Sequence, residues 1–209
     1  LIYGSQISLI VGIGGVLVSM IIGVILGLVC GYYRGIIDSI ISRIIDTLMA
    51  IPFILLAISI VGLIGISGED SLIVIIVVLG LTGWITFARV VRGEVMSIRE
   101  KEYIESAQAI GLKNSIIIFI HILPNVIPSI IVLSTLQIAT VIIAESSLSF
   151  LGLGVKPPIV TWGSMLADGR DYLATSWWLA TFPGVAITVT TLGLILFGDW
   201  LRDFLDPKM

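Results

Sequence analysis

Five apolar runs, at 7–30, 45–66, 72–91, 126–145 and 177–198, leave this chain few ways to fold. A bilayer core about 30 Å thick needs roughly 20 apolar residues in a helix, and each run is long enough to cross it. Within lipid every backbone N–H and C=O must be satisfied inside the structure, which a helix achieves by itself. The composition agrees: 57% of the residues are hydrophobic and 12% charged, against about 25% charged in a soluble domain. The expected fold class is therefore all-α, a polytopic membrane protein with five transmembrane helices. A membrane barrel would show shorter segments of alternating polarity, and the sequence has none of that pattern.

The basic residues orient these helices. Arg34, Arg43, Arg89, Arg92, Arg99, Lys101, Lys113, Arg202 and Lys208 fall on one side of the runs, and only Lys156 and Arg170 on the other. The positive-inside bias puts the N-terminus of the chain outside and residues 31–44, 92–115 and 199–209 in the cytoplasm. The SGEDS loop and residues 146–176 are then external. A net charge of -3 implies no nucleic-acid surface, and the single cysteine, Cys30, cannot form an internal disulfide. Leu1 is followed by no basic n-region, so no signal peptide is read there, and an N-terminal portion is expected to be missing.

Within the first run Gly15, Ser19, Gly23, Gly27 and Gly31 recur at every fourth position. A repeat of 3.6 residues places them on one stripe, a face on which two helix backbones can approach closely. Its partner, internal or in another subunit, stays open at this point. Charges avoid the centres of the runs: Asp46 begins the second, Glu145 ends the fourth and Asp199 follows the fifth, which points to interfacial placement. Trp84 lies inside the third run as a packing residue, whereas Trp177, Trp178 and Trp200 flank the fifth as belt residues.

Local catalysis finds no support. His121 is the only histidine, and neither HExxH, GxSxG nor a cluster with metal-ligand spacing occurs. The stretch GLGVK at 152–156 lacks the GxxxxGK[ST] spacing of a phosphate loop. An ion-coupled secondary transporter would show midplane charges and inverted repeats, and neither is visible.

The polar island at 97–124 is where function is sought. Ser97 and Glu100 have capping-box spacing, which predicts a helix from Ile98 to Ile110 that stops at Gly111 in the left-handed C′ position. Tyr103, Ala107 and Ile110 would share one small, greasy face, with Glu102, Glu105 and Ala109 around the other. Acidic residues would be repelled by anionic headgroups, so this helix is expected to dock on another protein and not on lipid.

These residues resemble the membrane-spanning permease subunits of binding-protein-dependent ABC importers. The cytoplasmic signature of that family is EAA, three residues, G, nine residues, I, one residue, LP. Glu105, Ser106, Ala107, Gly111, His121, Leu123 and Pro124 stand at those positions, with Ser106 for an alanine and His121 for the isoleucine. The run His121–Asn125 is similar to the dipeptide, oligopeptide and nickel branch. So are Gly31-Tyr32-Tyr33, Asp38, Arg43, Asp46, Pro52, Trp84, Ala88-Arg89, Arg92-Gly93, ESSLSFLGLGVKPP at 145–158, WGSML at 162–166, Pro183-Gly184 and GDWLRDFLDP at 198–207. Together they resemble the C-type subunit of the pair, departing from it at Ile195, where the branch commonly has asparagine.

The resemblance implies a MetI-like permease fold, a single transmembrane domain over 1–209 whose first family helix precedes Leu1, in the plasma (inner) membrane. It implies a coupling loop at 97–124, in which Tyr103, Glu105, Ser106, Ala107, Ile110, Gly111, His121, Leu123 and Pro124 engage a cytoplasmic ATP-binding subunit. It implies an external loop and gate at 146–176, with Glu145, Ser146, Ser149, Phe150, Gly152, Gly154, Pro157 and Trp162. The implied partners are a homologous second permease, an extracytoplasmic solute-binding protein and membrane lipid. ATP and Mg would sit on the ATPase, leaving this chain non-catalytic and without cofactor or metal. With no Met, His or Cys cluster, peptides are favoured over nickel, glutathione or sugars as the solute.

Overall fold

The computed structural model describes residues 1–65 and 70–205; residues 66–69, which include most of the SGEDS loop, and 206–209 at the chain's end lie outside the described residues. Helix α1 (Ile2–Tyr33) turns at Arg34 into α2 (Gly35–Met49), followed by α3 (Phe53–Ile64) and α4 (Ser71–Arg99). A short α5 (Glu102–Ala109) precedes α6 (Asn114–Ile116), which runs through a π-helical turn (Ile117–Ile122) into α7 (Leu123–Phe150). Helix α8 (Trp162–Gly169), a 3-10 turn (Arg170–Tyr172) and α9 (Trp178–Leu205) complete the described chain, in which no strand occurs.

Four stretches are long and apolar enough to cross a membrane: Ile2–Tyr33, Ser71–Arg99, Asn114–Phe150 and Trp178–Leu205. The run 45–66, expected as one span, is broken. Helices α2 and α3 meet at 94° and make a fifth span only as a pair. Pro52 sits at the break with an extended ψ of 130°. Proline offers no N–H to the helical ladder and drives the residue before it out of the α region, so the apolar run cannot remain a single rod. Periodicity and length did not register that break.

The main contact of the fold is α1 against α4. Ser19, Gly23, Gly27 and Gly31 are buried along it, and Ser19 donates its hydroxyl to the Gly80 carbonyl at 3.0 Å. A Cβ on Gly27 or Gly31 would stand 2.7 Å from the Cβ of Val91 or Val95, so the absence of a side chain sets how closely the two helices approach. Without a hydrophobic drive between helices in lipid, that van der Waals fit supplies much of the attraction. Helix α7 then packs on α1, α4 and α9, and the largest buried cluster runs from Val11 through Phe87 to Ile122 and Val126. Trp84 packs beside it with Ile85, Ala88 and Leu26.

The far end of α4 departs from the sequence reading. Ser97 does not cap a new helix; it lies exposed inside α4, which continues to Arg99. Val95 and Ile98 are buried there, and their packing holds the chain helical past a local signal that favoured a stop. The break comes at Glu100–Lys101, and α5 starts from an extended Lys101 with no side-chain cap.

Candidate functional site

Two corners of the bundle carry the residues singled out by sequence, and they lie at opposite ends of it. The C-terminal end of α1 meets the start of α6 through the Tyr32 hydroxyl, which donates to Asn114 Oδ1 at 2.9 Å. The N-terminal end of α1 meets α8 through the Trp162 backbone N–H, which donates to the Ser8 hydroxyl at 3.0 Å.

At the first corner α5 lies across the end of α4 and the π turn. Ile104 and Ala107 are buried in the common cluster with Ile98, Ile117 and Ile122, a contribution of about 1.5–3 kcal/mol for a fully buried isoleucine. Tyr103, Glu105, Ser106 and Ile110 stay outside, Tyr103 at 44% and Ile110 at 77% exposure. The face expected from sequence is thus split: Ala107 turns inward, while Tyr103 and Ile110 form an apolar shoulder beside the acidic Glu102 and Glu105. Gly111 ends the helix at φ 78°. Its N–H donates to the Gln108 carbonyl at 3.0 Å and that of Leu112 to the Ala107 carbonyl at 3.2 Å, the paired bonds of a Schellman stop.

Beyond the stop, His121 is half-buried in the π turn, Leu123 packs on the buried cluster and Pro124 is exposed. Pro124 and Pro128 bring no N–H to the helix they enter. The Asn125 side chain donates instead to the His121 carbonyl at 2.6 Å, securing the entry into α7. The corner is braced by charge. Arg92 holds Asp38 through Nε at 2.5 Å and Nη2 at 2.8 Å, and Arg34 holds Glu100 at 2.7 Å. Arg99 stacks over the Tyr32 ring at 5.5 Å. Arg34 itself takes a left-handed φ of 52° at the elbow between α1 and α2.

The second corner is buried where the first is open. Glu145, expected near an interface, is 0% exposed, because α7 runs on past it to Phe150 and the following loop folds back over it. Its Oε1 accepts from the Ser149 hydroxyl at 2.7 Å and the Thr161 hydroxyl at 2.8 Å. Thr161 in turn caps α8, accepting from the Ser164 N–H at 3.0 Å, while the Ser164 hydroxyl accepts from the Thr161 N–H at 2.9 Å. Oε2 of Glu145 has no partner among the described residues. Ser146, Ser149, Gly154 and Trp162 are buried around it, and Gly152 ends α7 at φ 78° with a second Schellman pair. Phe150 lies half out of the bundle beneath Arg170, whose guanidinium stands 5.4 Å from the ring centre, and Pro157 is exposed. A cavity of about 580 Å³ lies next to this loop, lined in part by Lys156, Ser164, Asp168 and Arg170.

Sequence reasoning missed Ile104, Ser8, Thr161 and Asn114. A box of Thr161 and Ser164 before WGSML was a findable signal. Eight residues of α5 are too few for periodicity to say which flank faces inward.

Comparison with known proteins fits this geometry. The model of the family described as "Binding-protein-dependent transport system inner membrane component" matches residues 23–209. The dipeptide transport system permease protein DppC of Alkalihalophilus pseudofirmus is 46% identical over 209 residues, all of this chain and 67% of the relative. The glutathione transport system permease protein GsiD of Salmonella typhimurium is 46% identical over 99% of this chain and 67% of its own length. The oligopeptide transport system permease protein OppC of Bacillus subtilis is 40% identical over 99% of this chain and 66% of its own. Among solved structures, a chain of the inward-facing MetNI methionine ABC transporter superposes with a TM-score of 0.76 at 19% identity, covering 99% of this chain and 96% of that one. An amino acid ABC transporter does so with a TM-score of 0.67 at 14% identity, over 100% and 93%. At such identities the likeness is one of fold. Apolar helices, fold and family model agree that this chain belongs to the inner membrane components of binding-protein-dependent transport systems, as a membrane-spanning permease subunit.

Proposed function

We propose that this subunit carries peptides inward, and that α5 is the joint through which a cytoplasmic ATPase drives it. The observation that carries the reading is the stance of α5: a short helix anchored by Ile104 and Ala107 and stopped by Gly111, with Tyr103 and Ile110 turned outward at the spacing of the EAA signature. A helix so held transmits a push to α4 and α7 as a unit, because its anchors share one packed cluster with both. ATP and Mg sit on the partner, and this chain performs no hydrolysis. The α5 corner faces the cytoplasm, in keeping with the basic residues around it, and the Glu145 corner faces outward, where a solute-binding protein delivers its load. A homologous second permease completes the path. Peptides are the favoured solute because the relatives named above include dipeptide and oligopeptide permeases.

The test is reconstitution in vesicles with the second permease, the ATPase and the binding protein. Labelled dipeptide should accumulate when ATP is supplied on the α5 side. Accumulation driven by a proton or sodium gradient without ATP would contradict the reading.

A further inference from the structure

Glu94 is a carboxylate on a membrane-spanning helix that the bracing at its own corner leaves out. Arg92 is matched to Asp38 and Glu100 to Arg34, while Glu94 forms no ion pair among the described residues. Glu94 and Arg202 both fall in the segments, 92–115 and 199–209, that the charge bias assigns to the cytoplasmic end of the spans. Glu94 is half-buried and opens into a cleft of about 740 Å³. Helix α7 forms the floor of the cleft with Asn125, Ser129 and Leu136; α4 contributes Val90 and Glu94 on one side, and α9 contributes Arg202 on the other. Arg202 also forms no ion pair among the described residues. One carboxylate and one guanidinium therefore line one cleft with apolar walls without forming an ion pair, and Asn125 and Ser129 line it with them.

We propose that this cleft is a binding site for a zwitterionic solute in transit, in which Glu94 takes the ammonium end and Arg202 the carboxylate end. The arrangement fits a short peptide with both termini free, and in that respect it rests on the transport reading above. An unmodified peptide presents two opposite charges separated by a short polar backbone, and the oxygen of the Asn125 amide, whose N–H is held by the His121 carbonyl, can accept from that backbone once water is stripped away. The headgroup of phosphatidylethanolamine offers the same pair of charges, so the experiment must separate the two sources.

The complete transporter is reconstituted in vesicles of phosphatidylcholine alone and in vesicles containing phosphatidylethanolamine, with labelled dialanine as the probe. Glu94→Gln is expected to lower the dialanine delivered per ATP hydrolysed about tenfold in both vesicles, the equivalent of one lost charge-assisted hydrogen bond. Arg202→Gln should lower it similarly, and the double variant by less than the product of the two. Wild-type delivery in Glu94→Gln would overturn the site. So would loss of the second permease on co-purification, which would make Glu94 an interface residue, or an effect confined to phosphatidylethanolamine vesicles, which would make the cleft a headgroup site. If the wild-type complex took up no dialanine in either vesicle, the peptide reading itself would fail and the site with it.

Discussion

Helices α5 and α7 stop in the same way, each with a glycine at φ 78° and a pair of backward backbone bonds, yet the two stops sit in opposite surroundings. At Gly111 the chain leaves a helix of eight residues whose Tyr103 and Ile110 are turned outward. At Gly152 it leaves a helix of 28 residues and folds back over a carboxylate that is 0% exposed. The same local device thus ends an open helix in one place and a sealed knot in the other. What separates the two corners is the setting of their carboxylates: those of Glu102 and Glu105 stand exposed on α5, while that of Glu145 is closed in by hydroxyls of its own chain. Substitutions at the knot should therefore move stability, and substitutions at α5 should move transport.

The largest effect is expected at Glu145. Glu145→Leu strands the hydroxyls of Ser149 and Thr161, which now converge on one oxygen. Two buried hydroxyls left unmade cost about 3 kcal/mol together. The detergent-solubilised complex should unfold at a clearly lower temperature and be nicked by protease between residues 151 and 161. Glu145→Gln, which keeps an accepting carbonyl, should retain most of the stability; an equal loss in both variants would show that the hydrogen bonds are not what holds the loop.

Thr161→Val comes next. It removes one donor to Glu145 and the cap that accepts the Ser164 N–H, both at a fully buried residue. The lost cap is worth about 1 kcal/mol and the lost hydrogen bond about the same, so roughly two thirds of the Glu145→Leu effect is expected. Thr161→Ser should restore it, because the hydroxyl is what both contacts use.

How far the sequence spoke for each corner follows from the same contrast. The spans were visible because a bilayer imposes a length, and the glycine stripe because small residues recur at a helical spacing. Gly111 was visible as well, since a glycine after a helical segment carries a local conformational meaning. The capping box at Ser97 was misleading: burial of Val95 and Ile98 outweighs a local stop, and burial is a property of partners distant in the chain. That Glu145 is sealed from solvent was hidden for the same reason. Its cover comes from Thr161 and Trp162, sixteen and more residues away, and from Ser8 at the other end of the chain. The break at Pro52 needed no distant partner, and a stricter reading of proline would have split that run.

At the open corner Gly111→Asp should cost about 1 kcal/mol, the penalty for placing a side chain at a left-handed cap. The fold should tolerate that, because no atom lies within 4 Å of a Cβ built there. Uptake is expected to fall more than about tenfold, since tilting α5 by a small angle displaces every group it presents and misplacement at a joint is amplified. Membrane insertion and unfolding temperature serve as controls, and ATP-driven uptake at the wild-type rate would remove α5 from the proposed mechanism.

The smallest structural effect, and the sharpest functional one, is expected at Ile110. Its side chain is 77% exposed and touches little of its own chain, so Ile110→Ser should change stability by no more than about 0.5 kcal/mol. An exposed isoleucine beside an exposed tyrosine has the character of an anchor for a partner's pocket, where a buried apolar side chain contributes about 1.5–3 kcal/mol. Binding of the ATPase, measured on the purified permease pair in detergent, should weaken by about ten- to a hundredfold. Tyr103→Ala should do the same, whereas Gln108→Ala, exposed on the flank of α5 away from that shoulder, should not. If all three left the affinity unchanged while Gly111→Asp abolished uptake, the shoulder would not be the contact surface, and α5 would have to act through its grip on α4 and the π turn.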